Sequence, residues 1–166
     1  DGYISGAAVY LDINKNGKYD LGTDVQVGTT DATGKFTGTI NQANASAGTD
    51  IINFNIPGAG IRTISPATAL PALAGGITID GFSQPGAAPN TGKINEYMNA
   101  AWAVHLNAPG MTALVATGAG NAIRGLSIQA GSAGISAVRI EGSGNTVAGN
   151  RIGLDSANHA TGWQSL

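Results

Sequence analysis

The chain has 166 residues, 42% of them hydrophobic and 11% charged, and a formal net charge of −2. This length is enough to bury the core of one or two domains, and the scattered Lys and Arg residues give no footprint for nucleic acid or for an anionic membrane surface. The chain has no Cys, which excludes disulfides and thiol catalysis, and no apolar run approaches the roughly 18 residues of a membrane span.

Residues 1–42 predict a small β module with strands at residues 3–11, 25–30 and 35–40. The turn between the last two strands starts with Asp31 and ends with Gly34, which is typical of a tight β-turn. Three strands make a very small sheet, so we expect the module to lean on the rest of the chain or to take a strand from elsewhere.

The loop between the first two strands has the spacing of a calcium loop. Side-chain oxygens alternate along it, Gly17 permits a sharp turn, and Thr23 stands where a bidentate Glu is usual. The candidate ligands of a structural Ca²⁺ are Asp12, Asn14, Asn16, Lys18 through its backbone carbonyl, Asp20 and Asp24. The alternative is a polar hairpin loop made of ordinary turn formers.

Residues 43–50 are small and polar and predict a linker or a short, loosely helical connection. The second domain, residues 51–166, begins with predicted strands at 51–56, 77–80 and 102–106. A turn or two of helix is expected within residues 93–101.

A repeat organises the rest of the chain, because residues 113–128 align with residues 137–152 at an offset of 24 residues. The segment from Val138 to Glu141 alternates apolar and polar residues, which is the period of a strand, and Gly and Asn stand between the strands. A repeat of this length predicts a solenoid in which each coil buries its face against the next. The equivalent apolar positions are Leu114/Val138, Ala116/Ile140, Ile123/Val147 and Ile128/Ile152. The alternative is a β-sandwich with two similar hairpins.

Two resemblances extend this interpretation. Residues 1–17, together with residues 30–36, resemble the calcium-binding B-type repeat domains of bacterial surface adhesins, which are immunoglobulin-like sandwiches used as stalks. Those domains usually carry a further strand before the position of Asp1, so the resemblance implies a module that is truncated or one strand short. Residues 52–58, 78–86, 123–128 and 145–153 resemble the right-handed parallel β-helix regions of large secreted bacterial proteins. The expected fold is therefore all-β, a small immunoglobulin-like module followed by a short right-handed parallel β-helix.

An enzyme would need suitably placed acids. Glycoside cleavage uses two carboxylates across a groove, and the solenoid offers Asp80, Glu96, Glu141 and Asp155. Asp80 and Glu141 are expected at equivalent strand ends, where polar residues usually form a solvated edge. Three arginines could bind an acidic sugar, and three aromatic residues could stack on one, while His105 is expected to be exposed. These residues are Arg124, Arg139, Arg151, Tyr97, Trp102 and Trp163.

We therefore expect a non-enzymatic, secreted structural protein, an adhesin or matrix component. We also expect pairing edges to be open at both ends of the chain, which favours a homo-oligomer or filament built by strand donation or end-to-end stacking. The alternative function is a β-helix protein that binds or cleaves an extracellular polysaccharide.

Overall fold

A computed structural model of the protein describes residues 8–11, 25–29, 37–93, 96–130 and 134–153. Strands are the main regular secondary structure of these residues, and their parallel sheets form a β-solenoid of about four turns. The predicted parallel solenoid is confirmed. Among the described residues, no helix has the length and apolar character needed to cross a membrane.

The strands, numbered β1 to β12 along the chain, form three sheets. Sheet A holds, in spatial order, β11 (Thr146–Ala148), β8 (Ala122–Arg124), β5 (Ile77–Asp80), β3 (Asp50–Phe54), β1 (Ala8–Leu11) and β2 (Val25–Thr29). Sheet B holds β12 (Arg151–Ile152), β9 (Leu126–Ala130), β6 (Val104–Ala108) and β4 (Arg62–Ile64). Sheet C pairs β10 (Val138–Ile140) with β7 (Leu114–Ala116), and Leu73 adds a parallel bridge to Ala116.

The last two coils stack in the predicted register. Val138 lies beside Leu114 in sheet C, Val147 beside Ile123 in sheet A, and Ile152 beside Ile128 in sheet B, all in parallel strands. Because both coils have the same length, equivalent residues lie above one another in all three sheets.

Rows of aliphatic side chains along the solenoid axis form the core. In sheet A, Ile52 lies beside Ile79 and Ile79 beside Ile123, and each is at most 1% exposed. In sheet B, Leu106 lies between Ile64 and Ile128, and these three are at most 2% exposed. Burying one such side chain contributes on the order of 1.5–3 kcal/mol, so these rows are a major source of stability.

Glycine permits the close stacking of one corner on the next. A Cβ atom on Gly118 would lie 1.5 Å from the carbonyl oxygen of Ala74, and one on Gly142 would lie 2.1 Å from the carbonyl oxygen of Gly118. These distances are far inside van der Waals contact. Gly at equivalent positions of successive coils is therefore required by backbone-to-backbone packing.

Asparagine side chains connect the same corners by hydrogen bonds. The Oδ1 atom of Asn121 accepts the N–H of Ile77 at 3.0 Å, and Oδ1 of Asn145 accepts the N–H of Asn121 at 2.7 Å. The Nδ2 groups of both asparagines donate to the carbonyl oxygen of Gly118 at 3.0 Å. A side-chain amide supplies both a donor and an acceptor, so it can form hydrogen bonds with the backbone C=O and N–H groups in the turns of neighbouring coils.

A helix and a strand cover the first coil. The helix α1 (Thr37–Ala45) buries Ile40 at 0% exposure and Ala43 at 3% in the core. The strand β1 pairs antiparallel with β3 along its edge. The strand predicted at residues 35–40 is wrong for residues 37–40. Ile40 and Ala43 are three residues apart, which places both on one helix face toward the core.

The first coil is joined to the two strands that precede it in the chain. The edge of β3 is occupied by β1, and β1 in turn pairs with β2, so sheet A continues past the first coil. The predicted boundary between residues 42 and 43 falls inside α1.

The second coil carries an excursion between β5 and β6. It begins with a 3₁₀ turn at Gly81–Ser83 and returns through an antiparallel bridge between Ala88 and Ala101. The predicted helix is absent from residues 93 and 96–101, since residues 93 and 96–100 are irregular and Ala101 forms the bridge. Side-chain hydrogen bonds fix the loop instead, since Oδ1 of Asn99 accepts the N–H of Thr91 at 2.8 Å.

Candidate functional site

At the last described coil, side chains at core positions are partly exposed. Three side chains occupy positions that are buried one coil earlier, where the exposures are 0% for Ala116, 1% for Ile123 and 0% for Ile128. Their equivalents in the last coil are exposed by 43% at Ile140, 38% at Val147 and 47% at Ile152. We call this surface, formed by β10, β11 and β12, the open end.

The open end also presents strand edges. Among the described strands, β10, β11 and β12 are each the outermost member of their sheet. The outer edge of such a strand offers backbone N–H and C=O groups for pairing with another chain. Exposed core residues and pairing edges therefore coincide on one surface.

A pair of opposite charges lies at the rim of this surface. Nε of Arg139 is 2.8 Å from Oε1 of Glu141, and the two side chains are 57% and 46% exposed. Arg139 is adjacent to Val115 of β7 in sheet C. The order of residues along this edge is therefore cation, exposed Ile140, anion.

The predicted relation between Asp80 and Glu141 is wrong. Asp80 lies in sheet A beside Arg124, whereas Glu141 follows β10 of sheet C. The excursion after β5 changes the spacing between coils, so the strand register could not be extended from the 24-residue repeat. Oδ2 of Asp80 forms an ion pair with Nη2 of Arg124 at 2.7 Å, and its Oδ1 accepts the N–H of Phe82 at 3.1 Å.

A second polar cluster lies on sheet B around His105, which is 2% exposed and not exposed as expected. Nε and Nη2 of Arg151 donate to the Ser127 hydroxyl oxygen at 3.1 and 2.9 Å. Nδ1 of His105 is 3.1 Å from the same oxygen, and Nε2 is 3.3 Å from Oε1 of Gln129. Arg can only donate, so the Ser127 hydroxyl oxygen accepts from Arg151, while the donor and acceptor roles of the two His105 nitrogens depend on the tautomer.

Trp102 joins this cluster. The guanidinium carbon of Arg151 lies 5.4 Å from the centroid of the Trp102 ring, which is a cation–π distance, and Nε1 of Trp102 donates to the carbonyl oxygen of Gly149 at 2.8 Å. The fold thus brings together two sugar-binding candidates that are far apart in sequence. The third aromatic candidate within the described residues, Tyr97, is 99% exposed on the excursion. Trp163 and Asp155 lie outside the described residues.

The predicted metal ligands, residues 12–24, lie outside the described residues. Within the part of the chain that the structure describes, no group of three His, Asp or Glu side chains is placed to hold a metal ion. The calcium site stays a prediction from the loop spacing.

The fold defines the class of this protein as a parallel β-solenoid. No family model matches the chain, and neither a curated protein nor a solved structure matches it. The resemblances to adhesin repeats and to secreted β-helix regions therefore rest on the residues that carry them.

Proposed function

We propose that the protein is a non-enzymatic, secreted structural protein, an adhesin or matrix component that associates with other chains through its open end. The observation that carries this proposal is the exposure of Ile140, Val147 and Ile152 at positions that are buried in the preceding coil. An apolar surface of this kind, lined by strand edges, favours association because burying it removes apolar area from water.

The segment before α1 is proposed to carry a structural calcium loop, as its resemblance to the calcium-binding adhesin repeats implies. The alternating oxygens of Asp12, Asn14 and Asn16 support this role. Bound calcium would neutralise the repulsion between Asp12, Asp20 and Asp24 and would fix their loop. We place this building block outside the cell, as the two resemblances imply.

Electron microscopy and sedimentation of the purified chain, with and without a calcium chelator, test the proposal. We expect particles larger than the monomer whose fraction rises with protein concentration. The expected effect of the chelator is a lower thermal midpoint of unfolding. A dispersed monomer that degrades an acidic polysaccharide would contradict the proposal.

The cluster around Trp102 favours a second candidate function, the binding of an extracellular polysaccharide. Arg151 holds a cation beside an aromatic ring, and this pair could bind a carboxylated sugar by charge and stacking. On a glycan array, Trp102→Ala should abolish binding if this function holds. Tyr97→Ala is the control, because Tyr97 is exposed and lies on the excursion. Equal binding by both variants would contradict this second function.

A further inference from the structure

We infer that the open end binds a second copy of this chain, last coil to last coil, about a two-fold axis. This inference rests on the proposed association through the open end and adds the partner and the symmetry. Three observations carry it: the covered first coil, the order of charges along β10, and the exposed core positions of the last coil.

The covered first coil offers a head-to-tail neighbour no free edge in sheet A. A head-to-tail neighbour would have to pair its β11 with the edge of β3, the first solenoid strand of sheet A. That edge already pairs with β1, through Leu11 beside Ile52 and Val9 beside Phe54. The helix α1 buries Ile40 at the same end of the core. Among the described strands, the open end offers a second copy an outer edge in all three sheets, whereas at the first coil the edge of β3 is occupied.

The charges along β10 are complementary to themselves. If β10 pairs antiparallel with β10 of a second copy and the two-fold axis passes at Ile140, Arg139 lies opposite Glu141 of the partner subunit. The symmetry repeats the contact, so Glu141 lies opposite Arg139 of the partner subunit. Opposite charges directly across an antiparallel pair are favourable, and like charges are unfavourable.

The same axis brings the apolar positions together. Ile140 lies on the axis and meets Ile140 of the partner subunit. The two-fold rotation that pairs β10 with its own copy exchanges the other two sides of the solenoid, which are sheets A and B. The strand β11 of one copy therefore lies over β12 of the second copy. Val147, 38% exposed, and Ile152, 47% exposed, then cover each other across the interface.

A charge-exchange experiment tests the pairing. By sedimentation equilibrium, the unchanged 166-residue chain should form dimers. Arg139→Glu and Glu141→Arg should each raise the dimer dissociation constant at least tenfold, because each places like charges opposite one another twice. An equimolar mixture of the two variants should recover a heterodimer, and the double variant should recover the homodimer. Both residues are about half exposed, so circular dichroism should show unchanged folding.

A cysteine experiment tests the axis independently. The chain has no native Cys, so Ile140→Cys introduces a single thiol. Mild oxidation should give a disulfide-linked dimer, because residue 140 meets its own copy. Met98→Cys is the matched control, since Met98 is 68% exposed on the excursion and should not cross-link.

The outcomes separate this inference from the proposed function. Assemblies larger than dimers without a cross-link at residue 140 would overturn the two-fold arrangement and keep association as the function. Dimers that respond to neither charge change would also overturn it. A chain that stays monomeric at millimolar concentration, with the open end covered by residues 154–166, would overturn both proposals.

Discussion

The first coil and the last described coil differ in how far their core positions are covered. At the first coil, α1 and β1 cover the rows, and Ile40 and Ile52 are both 0% exposed. At the last described coil, Ile152 is 47% exposed although Ile128, directly beneath it, is buried. The difference shows that the same inward-facing position contributes stability only when another layer lies above it, as expected for nearest-neighbour stacking.

Glycine substitutions should have the largest effect on this comparison. Gly118→Ala places a Cβ atom 1.5 Å from the Ala74 carbonyl oxygen, so a corner held between two neighbouring coils must shift. We expect it to lower the free energy of unfolding by about 3 kcal/mol or more. Denaturant titration of the full chain measures this loss.

Gly142→Ala is the matched variant. Its Cβ atom would lie 2.1 Å from the Gly118 carbonyl oxygen, but among the described coils its own coil has a neighbour on one side only. The last coil can move outward, so we expect a loss of about 1–2 kcal/mol. Equal losses for the two variants would mean that the last coil is held as firmly as the one beneath it.

Isoleucine truncations should give a second contrast between the two coils. Ile128→Ala removes a fully buried side chain and should cost about 3–4 kcal/mol, whereas Ile152→Ala, at the equivalent position, should cost less than about 1 kcal/mol in a dilute monomer. Thermal and denaturant unfolding measure both values. At concentrations where the dimer forms, Ile152→Ala should instead weaken association. A large loss in the dilute monomer would show that the open end is covered within one chain.

The repeat predicted the last two coils of the solenoid, from β7 to β12. The earlier coils depend on contacts between segments whose sequences do not repeat. The spacing of Gly118, Asn121 and their equivalents predicted the parallel register of the last two coils, because equal coils place equal residues above each other. The strand β4 was missed, and the helix α1 was expected only as a linker or a loosely helical connection that overlaps its C-terminal part. Thr39 and Ile40 follow strand-like alternation, and only the packing of Ile40 against the core selects a helix.

The candidate sites were predictable to different degrees. Arg151 and Trp102 were named from residue type, but their proximity depends on the excursion between β5 and β6, whose path has no repeat. The burial of His105 was missed because alternation along β6 indicates only that it faces away from the core. The contact between His105 and Ser127 joins two neighbouring coils, so the sequence around His105 gives no sign of it. The open end could be described only after the register was known.

Asparagine substitutions should have an intermediate effect. Asn121 is 2% exposed and its Oδ1 accepts the buried N–H of Ile77, so Asn121→Ala leaves that donor unpaired and should cost about 1–3 kcal/mol. Asn145→Ala is the control one coil later, where the freed N–H of Asn121 is closer to solvent, and we expect about half that loss. Hydrogen exchange should be accelerated at Ile77 in the first variant and at Asn121 in the second. The reverse pattern would contradict the proposed role of the asparagine row.

The ion pair between Arg124 and Asp80 should have the smallest effect. Arg124 is 51% exposed, so solvent screens its attraction to Asp80, and Arg124→Gln should lower the free energy of unfolding by less than about 0.5 kcal/mol. The difference should vanish in about 1 M salt, where the screening length falls to roughly 3 Å. Asp80→Ala should cost more than Arg124→Gln, because it also removes the acceptor for the N–H of Phe82 at the start of the 3₁₀ turn. If Arg124→Gln lowered the free energy of unfolding as much as Ile128→Ala, charge pairing along sheet A would contribute as much as the aliphatic rows. The contrast between the first and the last described coil could then not be assigned to the core alone.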